Sequence, residues 1–313
     1  MITKYPDNCD VGKLKSLWRE AFGDTDEYIN LFFNVAFSEE RARITLIDGE
    51  LAGALYWFGC EYDGGRVAYL YAVATAERYR GRGVCRALME DTHAILSDLG
   101  YRAAVLVPGE AELFSMYGKM GYALLSGINE FSAYPSGRVV KIREITPDEY
   151  AKTRRRLLTF GGIIQERENM AFLSSLYKLY AADNLLFAAA VEKGKLFCPE
   201  LLGDLSQAAD IVSTLGCTEG EFRTPEAGKL FRSKPLGDVS QALDGGYAEC
   251  EMRTPEAGKL FRFEPLGDVS QALDGGYAEC EMRTHGERRN FAMWRDLRDT
   301  GTPKPTYFGL AFD

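Results

Sequence analysis

The chain has 313 residues, 46% of them hydrophobic and 27% charged, a composition that fits a folded globular protein and excludes disorder throughout. At ~150 residues per domain, the length points to two domains. The formal charge of −9, with no Lys/Arg stripe, argues against nucleic acid as the main partner, and the longest apolar run, residues 185–191, is far short of the ~20 residues that cross a bilayer, so no membrane partner is expected.

The chain begins helical. Residues 11–22 place Leu14, Leu17, Trp18 and Phe22 on one face. Asp24 or Thr25 can cap a second helix running to Ala36, with Tyr28, Leu31, Phe32 and Val35 on its apolar side. The period then changes. Residues 43–46 and 51–58 read as strands around the turn Asp48-Gly49-Glu50, and Asp63-Gly64-Gly65 leads into a Tyr- and Val-rich strand over 67–75. A helix over 84–99 ends at Gly100, a short strand follows at 103–107, a helix at 110–120 ends at Gly121, and 122–134 holds one or two strands. The order αα-βββ-α-β-α-β predicts a three-layer α/β (α+β) sheet.

Pro135-Ser136-Gly137 is the best linker, dividing a domain at 1–135 from one at 138–313. Beyond it the order partly recurs: a strand at 139–142, helices between 146 and 180, strands at 185–191 and 196–199, and a terminal strand from Tyr307. Residues 223–252 and 253–282 are the same sequence except that Ser233 becomes Phe263 and Lys234 becomes Glu264. Gly203-Asp204-Leu205-Ser206-Gln207-Ala208 matches Gly237-Asp238-Val239-Ser240-Gln241-Ala242, so a more distant copy precedes them, giving units near 194–227, 228–257 and 258–287. Each unit reads strand, short helix, strand. Stacked repeats diverge where they meet solvent, and these scarcely differ, so we read a recent tandem duplication rather than a solenoid with a binding face.

The most informative stretch joins the strand Tyr69-Leu70-Tyr71-Ala72-Val73-Ala74-Thr75 to a helix through Arg80-Gly81-Arg82-Gly83-Val84-Cys85. Glycines at a strand-to-helix turn let backbone N–H groups point outward together, beside the partial positive charge of the helix N-terminus, which suits a pyrophosphate. Further on comes Tyr117-Gly118-Lys119-Met120-Gly121-Tyr122. With these motifs, residues 11–134 resemble the GCN5-related N-acetyltransferase (GNAT) superfamily, whose pattern after the fourth strand is Arg/Gln-x-x-Gly-x-Gly/Ala. Arg80 and Gly83 fit it, with Cys85 where Gly or Ala is usual; Arg78-x-x-Gly81-x-Gly83 also fits.

The resemblance implies a mixed central sheet and acetyl-CoA as cosubstrate, without a metal. It implies that the backbone of Val73, Ala74 and Thr75, on a strand that splays from its neighbour, holds the pantetheine arm and thioester carbonyl. Gly81, Arg82, Gly83, Val84, Cys85 and Arg86, with Arg80, then hold the pyrophosphate, and Tyr117 stands near the sulfur. Phe114 and Met116 are read as the core residues of that helix, leaving Tyr117 free. The second half resembles the degenerate partner domain of two-domain acetyltransferases of the enhanced-intracellular-survival type. Its equivalent turn, Leu202-Gly203-Asp204-Leu205-Ser206, has no arginine or second glycine, so one CoA site per chain is expected.

The expected reaction is direct attack of a small-molecule or peptide amine on acetyl-CoA, with Tyr117 protonating the leaving thiolate. Glu61, Glu112 and Glu130 are candidate bases, each more simply a solvated carboxylate, and the resemblance suggests the terminal Asp313 carboxylate as another. Two alternatives are an aminoacyl transferase of paired GNAT-like domains and a non-catalytic acyl-CoA sensor. The N-terminal residues have no apolar signal core, and the seven Cys are odd in number with no Cys-x-x-Cys pair, so reduced thiols in the cytoplasm are expected. The two His, His93 and His285, lie on different segments, which argues against a zinc site or a Ser-His-Asp site.

Overall fold

The computed structural model describes residues 1–158, 161–183, 185–226, 248–254, 257–263, 287–298, 301 and 303–312. A short edge strand β1 (Ile2–Lys4) precedes helices α1 (Val11–Phe22) and α2 (Asp26–Val35). α1 buries Leu14, Leu17 and Trp18 and is closed by Gly23 at φ 72°, whose N–H donates to the Arg19 carbonyl. Thr25 caps α2 by accepting from the Tyr28 N–H. Strands β2 (Ala42–Ile47), β3 (Glu50–Tyr62) and β4 (Gly65–Thr75) form an antiparallel meander. Then come α3 (Val84–Asp98), β5 (Ala103–Leu106) parallel to β4, α4 (Ala111–Gly118) and a single strand β6 (Ala123–Ala133).

The second half runs β7 (Arg143–Glu144), α5 (Pro147–Leu157), β8 (Ile164–Gln165), α6 (Glu168–Leu176), β9 (Lys178–Ala182), β10 (Leu185–Glu192) and β11 (Lys195–Gly203). It continues with α7 (Ala208–Thr214), β12 (Glu219–Pro225), β13 (Ala248–Thr254), β14 (Ala257–Phe263) and β15 (Glu287–Asp296). Among the described residues the main sheet has 13 strands in the order β1-β2-β3-β4-β5-β15-β6-β12-β11-β10-β9-β7, with β8 on β3, and β13 and β14 pair only with each other. The sheet is continuous across Pro135–Gly137, because β15 lies between β5 and β6.

Period-2 alternation sorts the side chains into layers. On β3, Leu55 and Trp57 join Leu70, Leu88, Met89 and Met293 under α3 and α4. Tyr56 and Phe58 point the other way, into an aromatic core with Trp18, Phe32, Tyr71, Phe172 and Phe312 under α1, α2 and α6. A third cluster packs α7 on Phe187, Leu196 and Phe222.

Three expected elements differ. Residues 139–142 form no strand. Val140 N–H donates to the Thr214 hydroxyl (2.9 Å) and Gly137 N–H to the Ser213 hydroxyl (3.0 Å), so α7 satisfies this segment instead of a ladder. The stretch from 146 to 180 is two helices interrupted by β8 and ended by β9. The terminal segment makes one isolated bridge, Tyr307 to Gly162, rather than a strand; Gln165 Nε2 donates to the Leu310 carbonyl (2.6 Å) and anchors it through a side chain. The first copy of the repeat is strand, helix, strand as read (β11, α7, β12). The later copies meet as the hairpin β13–β14, and the residues where their short helices are expected lie outside the described residues.

Candidate functional site

β4 and β5 pair only from Val67 to Tyr69 against Ala103 to Val105. β4 runs on to Thr75, so Val73, Ala74 and Thr75 leave the neighbouring strand behind. The register against β3 slips between Ala54 and Tyr56, and in that bulge Ala72, a non-glycine residue, takes φ 47°. Such a conformation is costly for alanine and turns the local backbone groups out of the ladder.

Beyond β4, a single helical turn (Glu77–Tyr79) leads to Arg80-Gly81-Arg82-Gly83. Gly81 and Gly83 sit at φ 74° and 79°, and a Cβ at either would meet nothing within 4 Å, so backbone conformation and not space demands glycine. Gly83 is the N-cap of α3 and supplies no side-chain oxygen. The first-turn N–H groups of Val84, Cys85 and Arg86 therefore face outward without a side-chain cap, at the positive end of a 15-residue helix. Arg80, Arg82 and Arg86 are exposed around them. Arg78 and Arg82 lie over the Tyr79 ring (5.0 and 5.7 Å), and the Tyr79 hydroxyl donates to Glu50 (2.9 Å). The turn is thus seated on an aromatic ring.

The fold brings Val73 from β4, Cys85 from α3 and Tyr117 from α4 into one cluster. Tyr117 is 6% exposed and is the buried residue of α4, whereas Phe114 and Met116 are half-buried. This reverses the expected division of that helix, because Tyr117 stacks edge-on against Tyr122 (5.8 Å) across the Gly121 turn. Burial raises the Tyr117 hydroxyl well above its ordinary range, with a smaller push from Cys85, and burial raises the Cys85 thiol too; both stay protonated at neutral pH. Sequence reasoning missed His93, whose Nε2 lies 2.7 Å from the Tyr122 hydroxyl. Burial, with Arg295 adding to it, lowers this imidazole to about 3, so it is neutral. Tyr122 stood in the motif, but its partner is 29 residues away and carried no local signal.

The candidate bases are largely engaged. Glu61 holds Arg155 through two bonds (3.0 and 3.2 Å), which lower its carboxyl, and Glu130 pairs with Arg223 (2.8 Å). Glu112 is exposed in the first turn of α4. Asp313 lies outside the described residues, but its neighbour Phe312 docks beside the β4–β5 split: its N–H donates to the Tyr69 hydroxyl (3.4 Å) and its carbonyl accepts from Tyr28 (3.5 Å). At the equivalent turn of the second half, Asp204 accepts from the Ser206 N–H (3.1 Å) and hydroxyl (2.6 Å). Its own carboxylate thus takes up the Ser206 donors of that turn. Among the described residues, no cluster of three His, Cys, Asp or Glu could hold a metal, and no helix is long and apolar enough to cross a membrane.

Residues 4–125 match the family model described as an acetyltransferase (GNAT) domain. The match to an acetyltransferase (GNAT) domain thus covers the part of the chain that runs from the end of β1 through β2 to β5 and α1 to α4 to the start of β6. Solved structures agree at the level of the fold. A GCN5-related N-acetyltransferase from Kribbella flavida is 15% identical with TM-score 0.58, over 94% of this chain and 70% of its own. One from Anabaena variabilis is 14% identical with TM-score 0.61, over 95% and 73%. Eis1 from Mycobacterium abscessus is 13% identical with TM-score 0.53, over 72% and 66%. No curated protein matches the chain by sequence.

Proposed function

We propose that this protein moves an acetyl group from acetyl-CoA to an amine of a small molecule or peptide by direct attack, in the cytoplasm. The observation that carries the reading is the convergence of three features: the split between β4 and β5, the uncapped N-terminus of α3, and the buried, protonated Tyr117. The backbone of Val73, Ala74 and Thr75 holds the pantetheine arm and polarises the thioester carbonyl as its oxygen gains charge. The N–H groups from Gly81 to Arg86 hold the pyrophosphate, with Arg80, Arg82 and Arg86 adding charge. The neutral amine attacks the carbonyl carbon, the C–S bond breaks, Tyr117 gives its proton to the departing thiolate, and the proton lost from the amine nitrogen leaves through a base or water and restores the Tyr117 hydroxyl. The hydroxyl is protonated at neutral pH at its ordinary value already, and burial makes it a weaker acid, so its proton moves only as full charge develops on the sulfur. In the same reading, residues 138–313 form a degenerate GNAT-like domain, so each chain has one CoA site.

Calorimetry with acetyl-CoA, combined with thiol release over a panel of amines, tests this. One site per chain and amine-dependent thiol release are expected. No binding, or two equal sites, would overturn the reading.

A further inference from the structure

β12 occupies an interior slot of the main sheet, antiparallel to β6 and parallel to β11. Its side chains alternate. Gly220, Phe222 and Thr224 are buried, while Glu219, Glu221 and Arg223 are not. The slot reads these residues individually. Phe222 stacks on Phe131 (5.4 Å), the Thr224 hydroxyl donates to the Leu201 carbonyl (3.0 Å), Arg223 pairs with Glu130 (2.8 Å), and Glu219 pairs with Lys195.

One repeat later the chain carries Glu249-Cys250-Glu251-Met252-Arg253-Thr254-Pro255 against Glu219-Gly220-Glu221-Phe222-Arg223-Thr224-Pro225. Every outward residue is the same, and so are Thr and Pro. The two changes fall on neighbouring inward positions, and the second relieves one of the two contacts that the first creates, leaving the Val212 side chain to shift. A Cβ on Gly220 would meet the Phe222 ring and Val212 Cγ2, both at 2.8 Å. A copy with cysteine at that point needs a slimmer, more flexible side chain two residues on, and it has methionine there. Residues 279–284 repeat the pattern again, as Glu-Cys-Glu-Met-Arg-Thr.

We infer that the β12 slot is interchangeable: residues 249–255 fit it as a second occupant, and the sheet can be completed in either of two registers one repeat apart. Little is sacrificed in the exchange. Among the described residues β13, which contains residues 249–254, pairs only with β14, and an isolated two-stranded ribbon is marginal in water. The exchange moves one repeat from after the slot to before it, and loop closure depends only weakly on length. The β15 slot admits no such exchange. Phe291, Ala292, Met293 and Trp294 are buried there, and the residue one repeat earlier than Ala292 is Arg262, whose charge would be buried.

The test places aspartate in the slot. A buried Phe222→Asp would normally abolish folding. Here the variant should keep a cooperative thermal transition and the elution volume of the wild type. In hydrogen exchange, amides of 249–254 should gain protection as those of 219–224 lose it. Phe222→Asp combined with Met252→Asp and Met282→Asp should lose the transition. Deleting residues 219–248, which joins Thr218 to Glu249, should leave a folded protein. Unfolding by Phe222→Asp alone, a triple variant no worse than the single one, or failure of the deletion variant to fold overturns the proposal. A dimer in place of the wild-type species overturns it as an exchange within one chain.

Discussion

Tyr117 is where chemistry and packing meet. Tyr117→Phe keeps the ring that touches Tyr122, so the fold and acetyl-CoA affinity should survive. Turnover should fall by roughly 10²–10⁴-fold, in kcat rather than in binding, because the proton is needed only as the thiolate leaves. An unchanged rate, with chemistry rate-limiting, would make Tyr117 a packing residue. His93 gives a second residue-scale prediction. It titrates near 3 in the folded chain against 6.5 when free, so between these values the unfolded chain binds the proton and the folded chain does not. Stability should therefore fall as pH drops below ~6.5, by at most ~1.4 kcal/mol per pH unit from this group. Urea titrations of His93→Phe should show a flatter acid limb than wild type. An identical slope would locate acid sensitivity elsewhere. The glycines and arginines of the phosphate turn were legible in sequence because their signal is local. The burial of Tyr117 was not, since it depends on Tyr122 folding back across Gly121.

Local rules also explain which elements could be read. α1 and α2 carry both an apolar face and their caps, Gly23 and Thr25, within a dozen residues, and their limits follow from sequence. Residues 139–142 look like a strand by composition, but Ser213 and Thr214 of α7, more than 70 residues away, offer side-chain hydroxyls that hold the segment open. The turn into α3 is the element on which the proposed phosphate site depends. At Gly81 and Gly83 a methyl group meets open space, so Gly81→Ala and Gly83→Ala act only through φ, at a cost of roughly 1–2 kcal/mol each if the conformation is kept. The turn should relax instead and redirect its N–H groups. We expect acetyl-CoA affinity to fall about tenfold or more in calorimetry, with the melting temperature changed by only a few degrees. Unchanged affinity in both variants would remove the turn from the binding site.

At the scale of the whole molecule, sequence order misleads about architecture. A strand near residue 290 lies between β5 and β6, and no periodicity announces so distant a pairing. A buried ionic knot ties the terminal segment to residues 150–200. Glu200 (0% exposed) binds Arg154 (1% exposed) through two bonds of 2.8 and 2.9 Å. It also accepts from the Tyr150 and Tyr307 hydroxyls (3.2 and 2.9 Å), while Arg154 donates to the Ile163 carbonyl (3.0 Å). Tyr307 belongs to the segment that delivers Phe312 to Tyr69 beside the β4–β5 split, so the knot fixes that approach. Removing one partner leaves an uncompensated buried charge, so Glu200→Met and Arg154→Met should each cost about 3–5 kcal/mol. Arg154→Met with Glu200→Met removes both charges and should cost clearly less than the sum of the single changes, because each single change includes the penalty of the stranded partner. Urea unfolding of the four proteins measures this coupling. Additive losses would mean that the two groups do not act as a pair. Acetyl-CoA binding should be nearly unaffected wherever the protein stays folded, since the α3 turn draws none of its contacts from the knot.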